Sequence, residues 1–223
     1  MSVAAVVALA IVLFAALFDA ALTRLVRDSE TPLLGWMALI TDVGRSQWYL
    51  VPAAIVFFVV GALDWSQAGP SGRRRLARFF AQAGFVFVAV AASGLLVNVL
   101  KILFGRARPI LFERVGAYDF DPLTLGYAHA SFPSGHSTTV GAVTGILMLW
   151  APRWRVPIAA VGLFVGLTRV AARAHYPSDV AAGFLFGLAV TVVLARYLAS
   201  RGVMFRFRKG RILPLLGLRD SAG

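Results

Sequence analysis

Long apolar runs, broken by short polar and basic stretches, dominate the chain. A transmembrane helix needs about 20 mainly apolar residues. Six segments meet or approach that length: 2–19, 48–66, 79–100, 137–151, 157–172 and 179–198. The pattern predicts an all-α polytopic membrane protein, a six-helix transmembrane bundle. The fourth and fifth segments are short, and each borders a polar motif. Their ends therefore suit a protein-lined cavity better than lipid. The first run has no basic residue ahead of it and is long for a signal h-region, so it reads as a retained helix. Residues 31–43 mix apolar and polar positions at helical spacing. They form either a short interfacial helix anchored by Trp36 or an ordinary loop.

The polar stretches differ in charge. Residues 67–78 carry Arg73, Arg74, Arg75 and Arg78, and the turn at 152–156 carries Arg153 and Arg155. The stretch after 199 carries Arg201, Arg206, Arg208, Lys209, Arg211 and Arg219. A six-helix layout puts all three on one side, which the positive-inside rule makes cytoplasmic, with both termini inside. Loops 20–47, 101–136 and 173–178 then face the periplasm or exterior. Residues 1–200 are read as one transmembrane domain and 201–223 as a basic cytoplasmic tail, disordered in part by composition. Compactness and Arg-rich inner loops point to a bacterial inner membrane.

Composition supports the membrane class. Of 223 residues, 59% are hydrophobic and 14% charged, more apolar surface than a soluble domain of this length could hide. The net charge of +12 would suggest nucleic acid in a soluble protein. Here it fits anchoring to anionic lipid headgroups, and no stretch resembles a nucleic-acid module. The absence of cysteine excludes disulfides and thiolate metal sites.

Three ionisable clusters fall on the predicted outer side, where such groups are costly and usually functional. The first runs from Lys101 to Arg108-Pro109. Its two cations lie about two helical turns apart, so both can face one phosphate. A plainer reading is snorkelling at a helix end. The second is Pro133-Ser134-Gly135-His136, a turn into a helix N-terminus that offers free N–H groups to an anion. His136 can protonate a leaving alcohol, or it is incidental to a capping turn. The third runs from Thr168-Arg169 to His175 and Asp179. Asp179 follows His175 by four residues, so its carboxylate can fix the imidazole tautomer. Stabilisation of the helix dipole would explain Asp179 alone, but not the histidine beside it.

Together the clusters resemble the signature of the type 2 phosphatidic acid phosphatase superfamily. That pattern is Lys, six residues, Arg-Pro; then Pro-Ser-Gly-His; then Ser-Arg, five residues, His, three residues, Asp. The match spans about residues 1–200, and only Thr168 departs, standing where Ser is usual. The resemblance implies catalysis by His175 as nucleophile, with Asp179 orienting it and His136 as general acid and base. It implies that Lys101, Arg108, Ser134, Gly135 and Arg169 bind the phosphate. No cofactor and no metal are expected. Arg106 and Arg173 occupy free positions of the pattern. They either contact a second phosphate or headgroup or simply sit at the interface. The 110–131 loop, with His129, Asp119 and Asp121, is a candidate cap.

The function implied is removal of a phosphomonoester or pyrophosphate from a lipid. Rival readings are lipid-to-lipid phosphotransfer and a phospholipid-binding transporter that does no chemistry. The same signature occurs in vanadium haloperoxidases, which resemble soluble enzymes. The partners are a membrane lipid phosphate and the bilayer. Phosphatidic acid, phosphatidylglycerophosphate, undecaprenyl pyrophosphate and lipid A phosphates all remain open as substrates, and oligomeric state is unreadable.

Overall fold

A computed structural model of the chain describes residues 3–207 and 213–217. The first apolar run folds as α1 (Val3–Ala16), then bends by 46° into α2 (Asp19–Asp28). Next come α3 (Pro32–Ile40), a 3-10 turn at Thr41–Gly44, and α4 (Gln47–Ala62). Residues 32–40 are helical rather than an ordinary loop, with Trp36 exposed, and together with α4 they make one stretch long and apolar enough to cross a membrane, not a separate interfacial segment. Pro32 starts α3 where the missing N–H costs nothing.

The helix α5 (Pro70–Phe104) has 35 residues and outruns the apolar segment 79–100 at both ends. Arg73, Arg74, Arg75 and Arg78, expected in a loop, lie within it. Pro70 opens the helix, and arginine is a good helix former, so the basic run extends the apolar one. Gly105 ends it with φ 57, and its N–H bonds the Lys101 carbonyl. After the short α6 (Phe112–Val115) come α7 (Gly135–Trp150), α8 (Arg155–Ala171) and α9 (Pro177–Ser200).

Among the described residues, four helical stretches are long and apolar enough to cross a membrane: Pro32–Ala62, Pro70–Phe104, Pro152–Ala171 and Pro177–Ser200. Counting the bent α1–α2 pair as one span makes five. The fourth expected span, α7, has 16 residues and is largely buried among α5, α8 and α9. A helix whose ends meet protein need not match the bilayer thickness.

The pair α7 and α9 is the most closely packed. A Cβ on Gly141 would run into the Phe184 carbonyl, and one on Gly187 into the Thr138 carbonyl. Close backbone approach of this kind is how small residues join helices in lipid. Gly187→Val should force these helices apart and cost about 1–3 kcal/mol, the usual scale of overpacking. Thermal unfolding in detergent reads this as a lower Tm, and an unchanged Tm would contradict the packing.

Part of the expected tail returns to the bundle. β1 (Phe205–Arg206) pairs antiparallel with β2 (Leu215–Leu216). The Phe205 ring is buried edge-on against Phe85, with centroids 4.8 Å apart. Arg208, Lys209, Arg211 and Arg219 lie outside the described residues.

Candidate active site

The three motifs meet where α5 ends and α7 and α9 begin. Lys101 stands in the last turn of α5. A Cβ on Gly135 would lie 3.3 Å from the Lys101 ammonium, so the lysine rests against the first residue of α7. Past Gly105 the chain runs extended and is pinned by the following loop. The N–H of Ala107 bonds the Asp119 carbonyl at 3.0 Å, and that of Arg108 bonds the Ala128 carbonyl at 2.8 Å. Arg108 donates from Nε to the Tyr127 carbonyl at 3.0 Å and from Nη2 to the Ala130 carbonyl at 3.2 Å. Its guanidinium carbon lies 4.0 Å from the Tyr127 ring centroid. Burial lowers its pKa, but arginine stays charged.

Ser134 caps α7, its hydroxyl accepting from the Ser137 N–H at 3.3 Å and the Ser137 hydroxyl at 2.9 Å. The Ser134 N–H donates to the Asp179 carbonyl at 3.0 Å, tying the starts of α7 and α9 together. His136 follows Gly135 in the first turn of α7, and its Cβ packs against Gly44. Its electrostatic neighbours are Arg169, His175, Lys101 and Arg45. Arg169, near the end of α8, donates to the Thr41 hydroxyl at 3.2 Å. The Arg169 Nε is buried with no hydrogen-bond partner among the described residues.

His175 is buried just ahead of α9, with Nδ1 3.5 Å from Asp179 Oδ2. That distance is long for a hydrogen bond, and Nδ1 has no hydrogen-bond partner among the described residues. Burial pushes the imidazole down to about 4, although the Asp179 carboxylate pulls it the other way. The ring is thus neutral at pH 7, with Nε2 turned away from the carboxylate. Asp179 is held independently. Its Oδ2 accepts from the Ser131 hydroxyl at 2.6 Å and the Tyr176 N–H at 2.9 Å. The second of these is half of a capping box, so the helix-start reading of Asp179 is also satisfied.

Arg106 lies elsewhere than a headgroup contact would. It is 2% exposed and faces inward. Nη1 donates to the Ser178 hydroxyl at 2.7 Å and to Asp179 Oδ1 at 2.6 Å. Nη2 donates to Asp19 Oδ2 at 2.8 Å and to the Ala117 carbonyl at 2.6 Å. Nε donates to the same carbonyl at 3.1 Å. All five donors of the guanidinium are taken, so none is left for a headgroup. Asp19 is fully buried and also accepts from the Ser178 N–H at 2.9 Å and the Ser178 hydroxyl at 2.6 Å. Arg173 is exposed, with φ 55, and donates to the Ser29 carbonyl at 3.1 Å.

Asp19, Ser131, Ser178 and Thr41 were not among the site residues read from sequence. One sign of Asp19 was available: an acid at the end of an apolar run is rarely idle. The 110–131 loop is fastened to residues 105–108, and His129 Nε2 lies 3.3 Å from Asp119 Oδ2.

Two cavities are lined in part by α7, the first of them beside His136. One, of about 390 Å³, is lined by Arg45, Ser46, Gln47, Asn98, His136 and Thr139, with small residues between. The other, of about 450 Å³, is apolar and lies between α7 and α8, with Val43 and Tyr49 on its rim. Among the described residues no three His, Cys, Asp or Glu side chains gather as metal ligands would.

The model of the PAP2 superfamily matches residues 82–202, and the chain belongs to that superfamily. It is 38% identical over 198 residues to the lipid A 1-phosphatase of Rhizobium johnstonii, covering 88% of this chain and 80% of that protein. It is 29% identical over 175 residues to an undecaprenyl-diphosphatase of Sulfolobus acidocaldarius, covering 76% of this chain and 73% of that one. A crystal structure of a transmembrane PAP2-type phosphatidylglycerolphosphate phosphatase from Bacillus subtilis shares the fold, with TM-score 0.55 and 22% identity, covering 92% of this chain and 98% of that one. The chain is a lipid phosphatase and an integral membrane protein.

Proposed function

We propose that the chain hydrolyses a lipid phosphomonoester or pyrophosphate through a phosphohistidine on His175. What carries this reading is the buried, neutral His175 paired with Asp179 beside three basic side chains, Lys101, Arg108 and Arg169. The lone pair of His175 Nε2 attacks phosphorus as the bond to the lipid oxygen breaks. His136, protonated in the complex with the anionic substrate, gives that proton to the departing oxygen and is left neutral. Asp179 stabilises the charge left on the His175 ring. In the second half His136 takes a proton from water, whose oxygen displaces His175 and releases inorganic phosphate.

Lys101, Arg108, Arg169, Ser134 and the Gly135 N–H hold the phosphate oxygens. Phosphoryl transfer depends mostly on positioning and charge, and this cage supplies both from fixed donors. A cluster of cations would repel a divalent metal, which favours a metal-independent reaction. The arginine distribution favours both termini in the cytoplasm, the cage at the outer face and, for a bacterial chain, the inner membrane.

Purified protein is expected to release inorganic phosphate from lipid phosphates with EDTA present, and loss of activity on chelation would overturn the metal-independent scheme. Radiolabel appearing on a second lipid instead of as free phosphate would favour phosphotransfer.

A further inference from the structure

The mechanism leaves one buried ionisable group unused. Asp19 opens α2 at the 46° bend after α1 and is fully buried. A buried carboxylate is costly unless partners replace its hydration. The Asp19 Oδ1 accepts from the Ser178 N–H at 2.9 Å, and Oδ2 accepts from the Ser178 hydroxyl at 2.6 Å and from Arg106 Nη2 at 2.8 Å. That N–H belongs to the first turn of α9, whose backbone donors have no partner within the helix. Asp19 thus caps α9 from another helix, 159 positions away in the chain. It also lies outside residues 82–202, the stretch that matches the superfamily.

The charges in this network do not cancel. Arg106 joins two carboxylates, Nη1 to Asp179 Oδ1 at 2.6 Å and Nη2 to Asp19 Oδ2 at 2.8 Å. With Asp179 alone, the guanidinium would neutralise the carboxylate that faces His175. Two carboxylates against one guanidinium leave one net negative charge. In the proposed reaction the His175 ring becomes positive as Nε2 bonds phosphorus. Arg108 and Arg169, both phosphate ligands in that scheme, disfavour a positive ring. The surplus negative charge opposes them, and buried charges are screened far less than exposed ones. The ring is neutral before attack, so the surplus acts in the transition state and not in substrate binding.

We propose that Asp19 is a positioning residue for the hydrolysis: through Arg106 it holds Asp179 in place and keeps the network one charge negative beside His175. The proposal rests on His175 as the nucleophile. The test measures kcat and KM of the purified full chain on a diacylglycerol phosphate and a diacylated glucosamine 1-phosphate, taking the better substrate, below the Tm of each variant. Asp19→Asn keeps the size and loses the charge, whereas Asp19→Glu keeps the charge and changes the size. Asp19→Asn should lower kcat by about tenfold or more and leave KM within about twofold of wild type. Asp19→Glu should turn over faster than Asp19→Asn. An asparagine variant with kcat within about twofold of wild type, or one at least as fast as the glutamate variant, overturns the role. So does a KM that rises as kcat falls, which marks a general loosening of the site. Should Asp19→Glu not fold, the kcat and KM of Asp19→Asn decide alone. Activity persisting in His175→Ala would instead overturn the nucleophile beneath the proposal, so the two failures are told apart.

Discussion

Substitution of His175 by alanine is expected to abolish phosphate release from every lipid substrate, with kcat falling roughly 10⁴-fold or more. The expectation follows from the geometry around one ring. Asp179 lies on the Nδ1 side at 3.5 Å, which leaves Nε2 as the only nitrogen free to attack. Neutrality at pH 7 keeps its lone pair available. The alanine variant loses the proposed nucleophile but keeps Lys101, Arg108 and Arg169, so it should still bind lipid phosphate. Binding retained with turnover lost, read by a lipid-binding assay beside phosphate release, would mark a chemical role. Full activity in the variant would sink the phosphohistidine route and shift attention to His136.

The largest stability effect is expected at Arg106. Arg106→Met would leave Asp19 and Asp179 buried without their shared cation. Removing one partner of a buried ion pair costs about 3–5 kcal/mol, because the remaining charge has nowhere to go. A sharp drop in Tm should follow, together with loss of activity as Asp179 moves. Adding Asp19→Asn to Arg106→Met removes one of the two stranded charges and should recover part of the Tm, since groups in one network are not additive. A single variant as stable as wild type would mean that the network opens to solvent.

Motif chemistry was the most legible layer. Lys101 to Arg108, Pro133 to His136 and Arg169 to His175 to Asp179 are each set by short spacings, and helix geometry turns such spacings into neighbours. The structure brings Lys101 against Gly135 and ties Ser134 to Asp179, so these motifs share one corner. Arg106 was less readable. Its partner Asp19 is 87 positions away, and local spacing carries no information about which helix lies alongside. A spacing of two in an extended segment would put Arg106 and Arg108 on one face, yet Arg106 bonds Asp19, Asp179 and the Ala117 carbonyl while Arg108 bonds the Tyr127 and Ala130 carbonyls, a divergence set by which elements pack alongside. The ends of α5 and the length of α7 were hidden for a related reason. Hydropathy marks where lipid can be, while the basic first turns of α5 and the buried α7 answer to helix propensity and to protein neighbours. Phe205 escaped notice because an apolar pair of two or three residues is too short to register in any window.

The bond between Asp19 and Ser178 has a consequence for the order of assembly. Asp19 opens α2, ahead of all three cage motifs in the chain, and Ser178 lies in the first turn of α9, behind most of them. Until α9 is laid in, Arg106 has neither Asp179 nor Ser178, and Asp19 waits without its partners. A nascent chain therefore carries Lys101, Arg108 and Arg169 before it carries a fixed His175–Asp179 pair, and the site is completed in one step when α2 and α9 lock together.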